Sequence, residues 1–214
     1  VVPGSVTLLG GEPGIGKSTL LMQLLAAWPS RTLYVTAEES AQQVRLRAER
    51  LGALNENVWL LPEMNLLNIF KAIESVKPSL LVIDSIQTIA DPELSSPPGS
   101  VVQVRGCAHR LVQEAKRSNL PIVLVGHVTK EGGLAGPRVL EHVVDTVLSF
   151  EGERHHALRL LRASKHRFGP TSELGLFEMT DKGMVGVPDA SQLFLTDRRT
   201  GVPGSVVVPT IEGQ

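Results

Sequence analysis

The sequence predicts a doubly wound α/β fold built around a phosphate-binding loop, and three observations carry that prediction. Short apolar runs alternate with stretches of helical period, the pattern of a mainly parallel sheet with crossover helices. One run, Leu80–Ile83 (LLVI), is apolar without interruption, as a central parallel strand covered on both faces must be. A glycine-rich stretch, GGEPGIGKST from Gly10 to Thr19, joins the first apolar run to the first helical one.

Taken in order, Ser5–Gly10 (SVTLLG) reads as a buried strand, followed by the loop and a helix from about Lys17 to Ala27. Thr32–Thr36 (TLYVT) is a second strand. In Ala41–Leu51, helical spacing puts Val44, Ala48 and Leu51 on one face. Val58–Leu61 is a third strand, and Leu66–Val76 is a helix closed by Lys77-Pro78. Leu80–Ile83 is the central strand. Val101–Arg117 is a strong helix with Val101, Val104, Ala108, Leu111, Val112 and Ala115 on one stripe, and Pro121–Gly126 (PIVLVG) is another buried strand. After about Val143 the texture changes. Thr146–Glu151, Ala157–Ser164, Leu176–Met179 and Met184–Val187 read as strands joined by short turns, which predicts an antiparallel extension of the same sheet. Two long stretches, Thr88–Ser100 and Thr129–Arg138, are polar or rich in Gly and Pro, and loops of that length in a compact domain are usually functional or disordered.

Bulk properties narrow the function classes. The 214 residues suit one large domain, or one with a small appendage, and 42% hydrophobic residues support a single core. A net charge of −1 gives no global field to recruit nucleic acid or membrane, so any polyanion contact rests on local basic groups. Aromatics at 4% argue against a surface that stacks many bases. The single cysteine, Cys107, excludes an internal disulfide or cysteine-cluster zinc site within this chain and reads as a small core residue. No apolar run approaches the ~20 residues of a membrane span, no signal-peptide pattern opens the chain, and a cytoplasmic location is the expectation. The chain opens on Val1 directly before a strand and closes on the strand-like Val206–Glu212, so it reads as a piece of a longer protein.

Gly11-Glu12-Pro13-Gly14-Ile15-Gly16-Lys17-Ser18 fits G-x-x-x-x-G-K-[ST] in full, between a strand and a helix. Glycines allow backbone N–H groups to turn onto phosphate oxygens, and the helix N-terminus adds its dipole. Lys17 is expected on the β- and γ-phosphates of ATP, the Ser18 hydroxyl on Mg²⁺, and Thr19 near the α-phosphate. Asp84, at the C-terminal tip of the central strand, faces the ligand crevice and is the expected second Mg²⁺ partner. Glu38, just after Thr32–Thr36 at the same sheet edge, is the expected base for the attacking water. Its neighbour Glu39 points elsewhere, because adjacent residues do not share a face. Read blandly, Asp84 caps a turn and Glu38 favours a helix start.

GGEPGIGKSTLLMQ, LYVTAEES, LLVIDSIQT, GHVTKEG and KHRFGPTSELGLFEM together resemble the bacterial RadA (Sms) family, RecA-like ATPases of recombination and repair. The resemblance covers essentially the whole chain. The most specific motif usually reads Lys-Asn-Arg-Phe-Gly; here it is Lys165-His166-Arg167-Phe168-Gly169, which keeps both cations and changes the asparagine.

The resemblance implies a RecA-like core over 1–190. It implies further that 191–214 is a linker and the start of a Lon-protease-like domain, with a four-cysteine zinc module expected before residue 1. It implies hexameric rings on single-stranded and branched DNA that drive branch migration, alongside recombinase or replicative-machinery partners. It supports Glu38 as the base. It places Lys165 and Arg167 as cations delivered to the γ-phosphate of a neighbouring subunit, where a bland reading sees a solvated basic turn. His127 or Thr129 becomes the γ-phosphate sensor, with a structural histidine an equal reading of His127. Thr88–Ser100 and Thr129–Arg138 become DNA-facing loops, with Lys130 and Arg138 on phosphates. Arg45 is a candidate to stack on adenine. His155-His156 lacks a third ligand nearby in sequence and is not expected to bind metal.

Rival readings are a GTPase, which lacks its N-K-x-D element here, a small-molecule kinase, and a signalling or assembly ATPase that does not act on DNA.

Overall fold

The computed structural model describes residues 1–127, 139–152 and 157–188. Nine strands form one sheet: β1 (Val6–Gly11), β2 (Thr32–Thr36), β3 (Val58–Pro62), β4 (Leu80–Asp84), β5 (Ile122–His127), β6 (Thr146–Glu151), β7 (Leu158–His166), β8 (Leu174–Thr180) and β9 (Gly183–Gly186). Their order across the sheet is β3-β2-β4-β5-β1-β6-β7-β8-β9. The pairings from β3 to β6 are parallel, and those from β6 to β9 are antiparallel. The mainly parallel sheet with an antiparallel extension is the predicted one.

Among the described residues, four helices cover the parallel part: α1 (Lys17–Ala26), α2 (Ala41–Arg50), α3 (Leu66–Val76) and α4 (Val101–Ser118). Strand residues sort by period two onto two cores. Val6, Leu8, Leu33, Val35, Leu81, Ile83, Ile122 and Leu124 pack with Ile69 and Ile73 of α3 and Val104, Ala108 and Leu111 of α4. Leu9, Tyr34, Leu80, Val82, Val123 and Val125 pack with Leu21, Met22 and Leu25 of α1 and Val44 and Ala48 of α2. This two-sided cover is why β1 and β4 are buried along their whole length. Cys107 is buried in the first core, and burial above all raises its thiol to about 11.

Helix starts follow local chemistry. Ser40 and Gln43 form a capping box on α2, and Asn65 and Ser100 cap α3 and α4 through their side chains. The stretch Thr88–Ser100, read from the sequence as a long loop, is tied to the helices. Ile89 is fully buried, and Asp91 pairs with Arg110 at 2.6 Å. The Gln103 amide donates to the carbonyls of Asp91, Leu94 and Ser96. A DNA-facing role for its whole length is therefore at odds with its packing. Thr129–Arg138, with Thr129, Lys130 and Arg138, lies outside the described residues, as do His155-His156 and 191–214. No helix among the described residues is long and apolar enough to cross a membrane.

Candidate nucleotide site

The carboxyl ends of β1, β2, β4 and β5 meet at one edge of the sheet, where an α/β fold binds ligands. The loop after β1 wraps toward α1 and, with β2, β4, β5 and α2, lines a cleft of about 460 Å³. Pro13, Gly14, Gly16, Lys17, Ser18, Thr19, Thr36, Glu38, Asp84 and His127 all border it. Gly16 has φ +112°, and a Cβ there would come within 2.3 Å of Met184 Cε and 2.6 Å of Met179 Cε. A Cβ on Gly11 would lie 2.6 Å from the Phe150 carbonyl oxygen. The first glycine satisfies a backbone demand and the second a close approach of two strands.

Of the predicted loop residues, Ile15 turns its side chain into the core at 1% exposure and leaves only backbone to the loop. Gly11 and Glu12 offer carbonyls to Lys17, whose Nζ donates to them at 2.8 and 2.9 Å. Burial lowers the Lys17 pKa, while the charges of Asp84 and Glu38 act the other way. An anion entering the cleft would meet a largely desolvated ammonium.

Ser18 Oγ donates to Asp84 Oδ2 at 2.6 Å, and the buried Tyr34 hydroxyl donates to the same oxygen at 2.6 Å. Burial, chiefly, together with Asp84 pushes the Tyr34 hydroxyl well above its ordinary range, so it serves as a fixed donor. Ser18 and Asp84 are hard oxygen donors brought side by side, a pair that fits Mg²⁺. The Asp84–Ser85 peptide is cis.

Glu38 lies in the cleft with 42% of its side chain exposed. Its Oε1 accepts from Ser85 Oγ at 2.5 Å and faces His127 Nε2 at 3.2 Å. Glu39 pairs instead with Arg47.

Arg45, the candidate to stack on adenine, lies on the exposed side of α2. It pairs with Glu49 across one helical turn, with 70% of its side chain exposed, and does not line the cleft. Arg47 and Arg50, on the other flank of α2, do.

Lys165 and Arg167 are remote from the cleft of their own chain. Lys165 Nζ donates to the carbonyls of Glu141 and Val144 at 2.6 and 2.8 Å. Arg167 pairs with the buried Asp145 at 2.9 Å, and Asp145 in turn accepts from the Val6 amide at the start of β1. The cleft opens at the other end of β1, so the cations sit roughly 17 Å away along the strand. A bulge between Val147 and Leu148 shifts the β6–β7 register beside Lys165.

Three residues of this region were not singled out from the sequence. Arg159, only 4% exposed, donates through Nε to the Ile15 carbonyl at 2.9 Å and so braces the loop from β7. Tyr34 and Ser85 hold Asp84 and Glu38.

Comparison with known proteins fits this geometry. The AAA domain family matches residues 1–133. DNA repair protein RadA of Streptococcus pneumoniae is 55% identical over 215 residues, covering all of this chain and 51% of that protein. RadA of Halalkalibacterium halodurans is 52% identical over all of this chain and 47% of that protein, and RadA of Listeria monocytogenes is 54% identical with the same coverages. The chain thus spans about half the length of the curated relatives it matches. The crystal structure of a KaiC-like protein from Pyrococcus horikoshii superposes with a TM-score of 0.69 at 23% identity, over 87% of this chain and 90% of that one. This likeness shows the fold, which is RecA-like. With the family match running over more than half of its length, the chain belongs to the AAA domain family, and the RadA proteins are the relatives it resembles from end to end.

Proposed function

We propose that this chain is the ATP-hydrolysing core of a DNA recombination and repair motor. The observation that carries the proposal is the convergence of Lys17, Ser18, Asp84 and Glu38 on one cleft beneath a full phosphate-binding loop. Lys17 would leave the loop carbonyls for the β- and γ-phosphates of ATP. Ser18 and Asp84 would hold Mg²⁺, which neutralises phosphate charge when bound. Glu38 would take a proton from the attacking water as the new oxygen–phosphorus bond forms and the bond from the γ-phosphorus to the β-phosphate bridging oxygen breaks. His127, already against Glu38, would sense the γ-phosphate, with Thr129 beside it in sequence.

In this reading the active form is a ring, a hexamer in the family pattern. Lys165 and Arg167 of one subunit serve the nucleotide of the next. Their distance from their own loop supports a role outside it. Lys130 and Arg138 contact DNA phosphates, single-stranded and branched DNA are the substrates, and branch migration is the work done. Recombinases or replication proteins are the partners of the whole protein. The identity to RadA proteins over the full chain supports the repair role.

ATP turnover by the parent and by Glu38→Gln, with and without single-stranded DNA, tests the proposal. Glu38→Gln should bind ATP and stop turning it over, because the carboxylate is needed only when water attacks. DNA should stimulate the parent. Parent-rate turnover by Glu38→Gln would remove the base assignment. Turnover indifferent to DNA would favour a signalling or assembly ATPase.

A further inference from the structure

The two oxygens of the Glu38 carboxylate have unequal surroundings. Oε1 accepts the Ser85 hydroxyl at 2.5 Å and lies 3.2 Å from His127 Nε2, while Oε2 has no hydrogen-bond partner among the described residues. Ser85 is fully buried at the end of β4. Its own carbonyl is occupied by the Thr88 hydroxyl at 2.8 Å, which fixes the backbone from which the serine side chain projects. Glu38 sits on the neighbouring strand's exit. The Ala37 amide donates to the Asp84 carbonyl at 3.0 Å, so the residues just before Glu38 and Ser85 are already clamped together.

A half-exposed glutamate on a flexible side chain samples several rotamers, and ordering it costs entropy. Here one oxygen is pinned by a buried donor, and the carboxylate borders the cleft with its other oxygen unpartnered among the described residues. A base needs this arrangement: a free lone pair held in one place before the water arrives.

We propose that Ser85 is the positioning residue of the hydrolytic base: its hydroxyl fixes Glu38 Oε1 and so presents Oε2 to the attacking water. This rests on the reading of Glu38 as the base. Ser85 touches neither nucleotide nor water in this scheme. It acts through Glu38 alone, although it directly follows the proposed Mg²⁺ partner Asp84. The test must therefore separate action on Glu38 from action on the metal.

Steady-state ATP turnover would be measured for the parent, Ser85→Ala, Glu38→Gln and the double variant, with ATP affinity, the Mg²⁺ concentration for half-maximal activity and the melting temperature of each. Ser85→Ala should lower kcat by roughly 10- to 100-fold while KM, ATP affinity and the Mg²⁺ requirement stay within about twofold. Residual hydrolysis by Glu38→Gln, followed in single-turnover assays with enzyme in excess over ATP, should not fall further when Ser85→Ala is added, because nothing remains for Ser85 to position. Ser85→Cys, a weaker donor of similar size, should fall between Ser85→Ala and the parent.

A parent-like kcat for Ser85→Ala, an equal loss in both Glu38 backgrounds, or a loss that extra Mg²⁺ restores would each overturn the proposal. If Glu38→Gln itself turns over at the parent rate, the base assignment falls and the Ser85 role falls with it. If Glu38→Gln is inactive and Ser85→Ala is normal, only the Ser85 role is lost.

Discussion

The side chain of Arg159 donates a hydrogen bond to the carbonyl oxygen of Ile15, a residue 144 positions earlier, and through it the antiparallel part of the sheet holds the phosphate-binding loop. Arg159→Met keeps much of the volume and removes the donors. A buried acceptor left unpaired costs about 1–3 kcal/mol. The variant should melt at lower temperature and bind ATP more weakly, with faster amide exchange in residues 11–16. Unchanged exchange there would limit Arg159 to packing.

Lys165 and Arg167 make a second prediction. A cation delivered to the transferred phosphoryl group can supply about 10³–10⁵ in rate. Lys17→Ala subunits carry intact cations, and Arg167→Ala subunits carry intact loops. Mixing the two inactive forms should restore turnover, because some interfaces then combine both good halves. Arg167→Ala also strands the buried Asp145, so its isolated subunit should melt earlier than the parent. Mixed rings that form and stay inactive would leave Lys165 and Arg167 only their local task of holding residues 141–145.

A pH effect is expected at the start of α3. Glu63 accepts the amides of Asn65 and Met64 and the side chain of Asn68, and these bonds, that from Asn65 first, hold its carboxyl below 4.5. A depressed acid stabilises the fold above its unfolded pKa and loses that contribution as pH falls through its folded pKa. Glu63→Gln should therefore lower stability near neutral pH, by less than about 1 kcal/mol because the site is partly open to solvent. The gap to the parent should close as the pH drops below 4.5. A gap that is constant with pH would assign the effect to shape rather than charge.

The parallel half of the fold was legible because strands buried on both faces leave continuous apolar runs, and the loop because its chemistry leaves few alternatives. The rest depended on tertiary placement. Val44 and Ala48 fix which stripe of α2 is buried, yet Arg45 and Arg47 flank that stripe on opposite sides at about 100° per residue. Nothing local says which flank meets the cleft. Arg159 and Arg162 both sit in the apolar run LRLLRAS, and only the packing of β7 decides that Arg159 is the buried one. Ser85 reads as an ordinary residue after a strand until the end of β2 is set beside it. The anchoring of Thr88–Ser100 by Gln103 was equally hidden, because a composition rich in Pro and Gly does not show what a distant amide will hold.

The place of β1 between β5 and β6 sets an order of events for the newborn chain. The phosphate-binding loop is made before the strands that flank its own: β1 gains one neighbour only when residues 122–127 have been made and the other only with residues 146–151. The brace on Ile15 comes later still, with Arg159. A nascent chain therefore carries its nucleotide motif without the walls that shape it until those strands have been made. Chains stalled before residue 122 should not retain ATP, and ATP capture should begin only once β7 has emerged, so nucleotide binding doubles as a signal that the walls of the loop are in place.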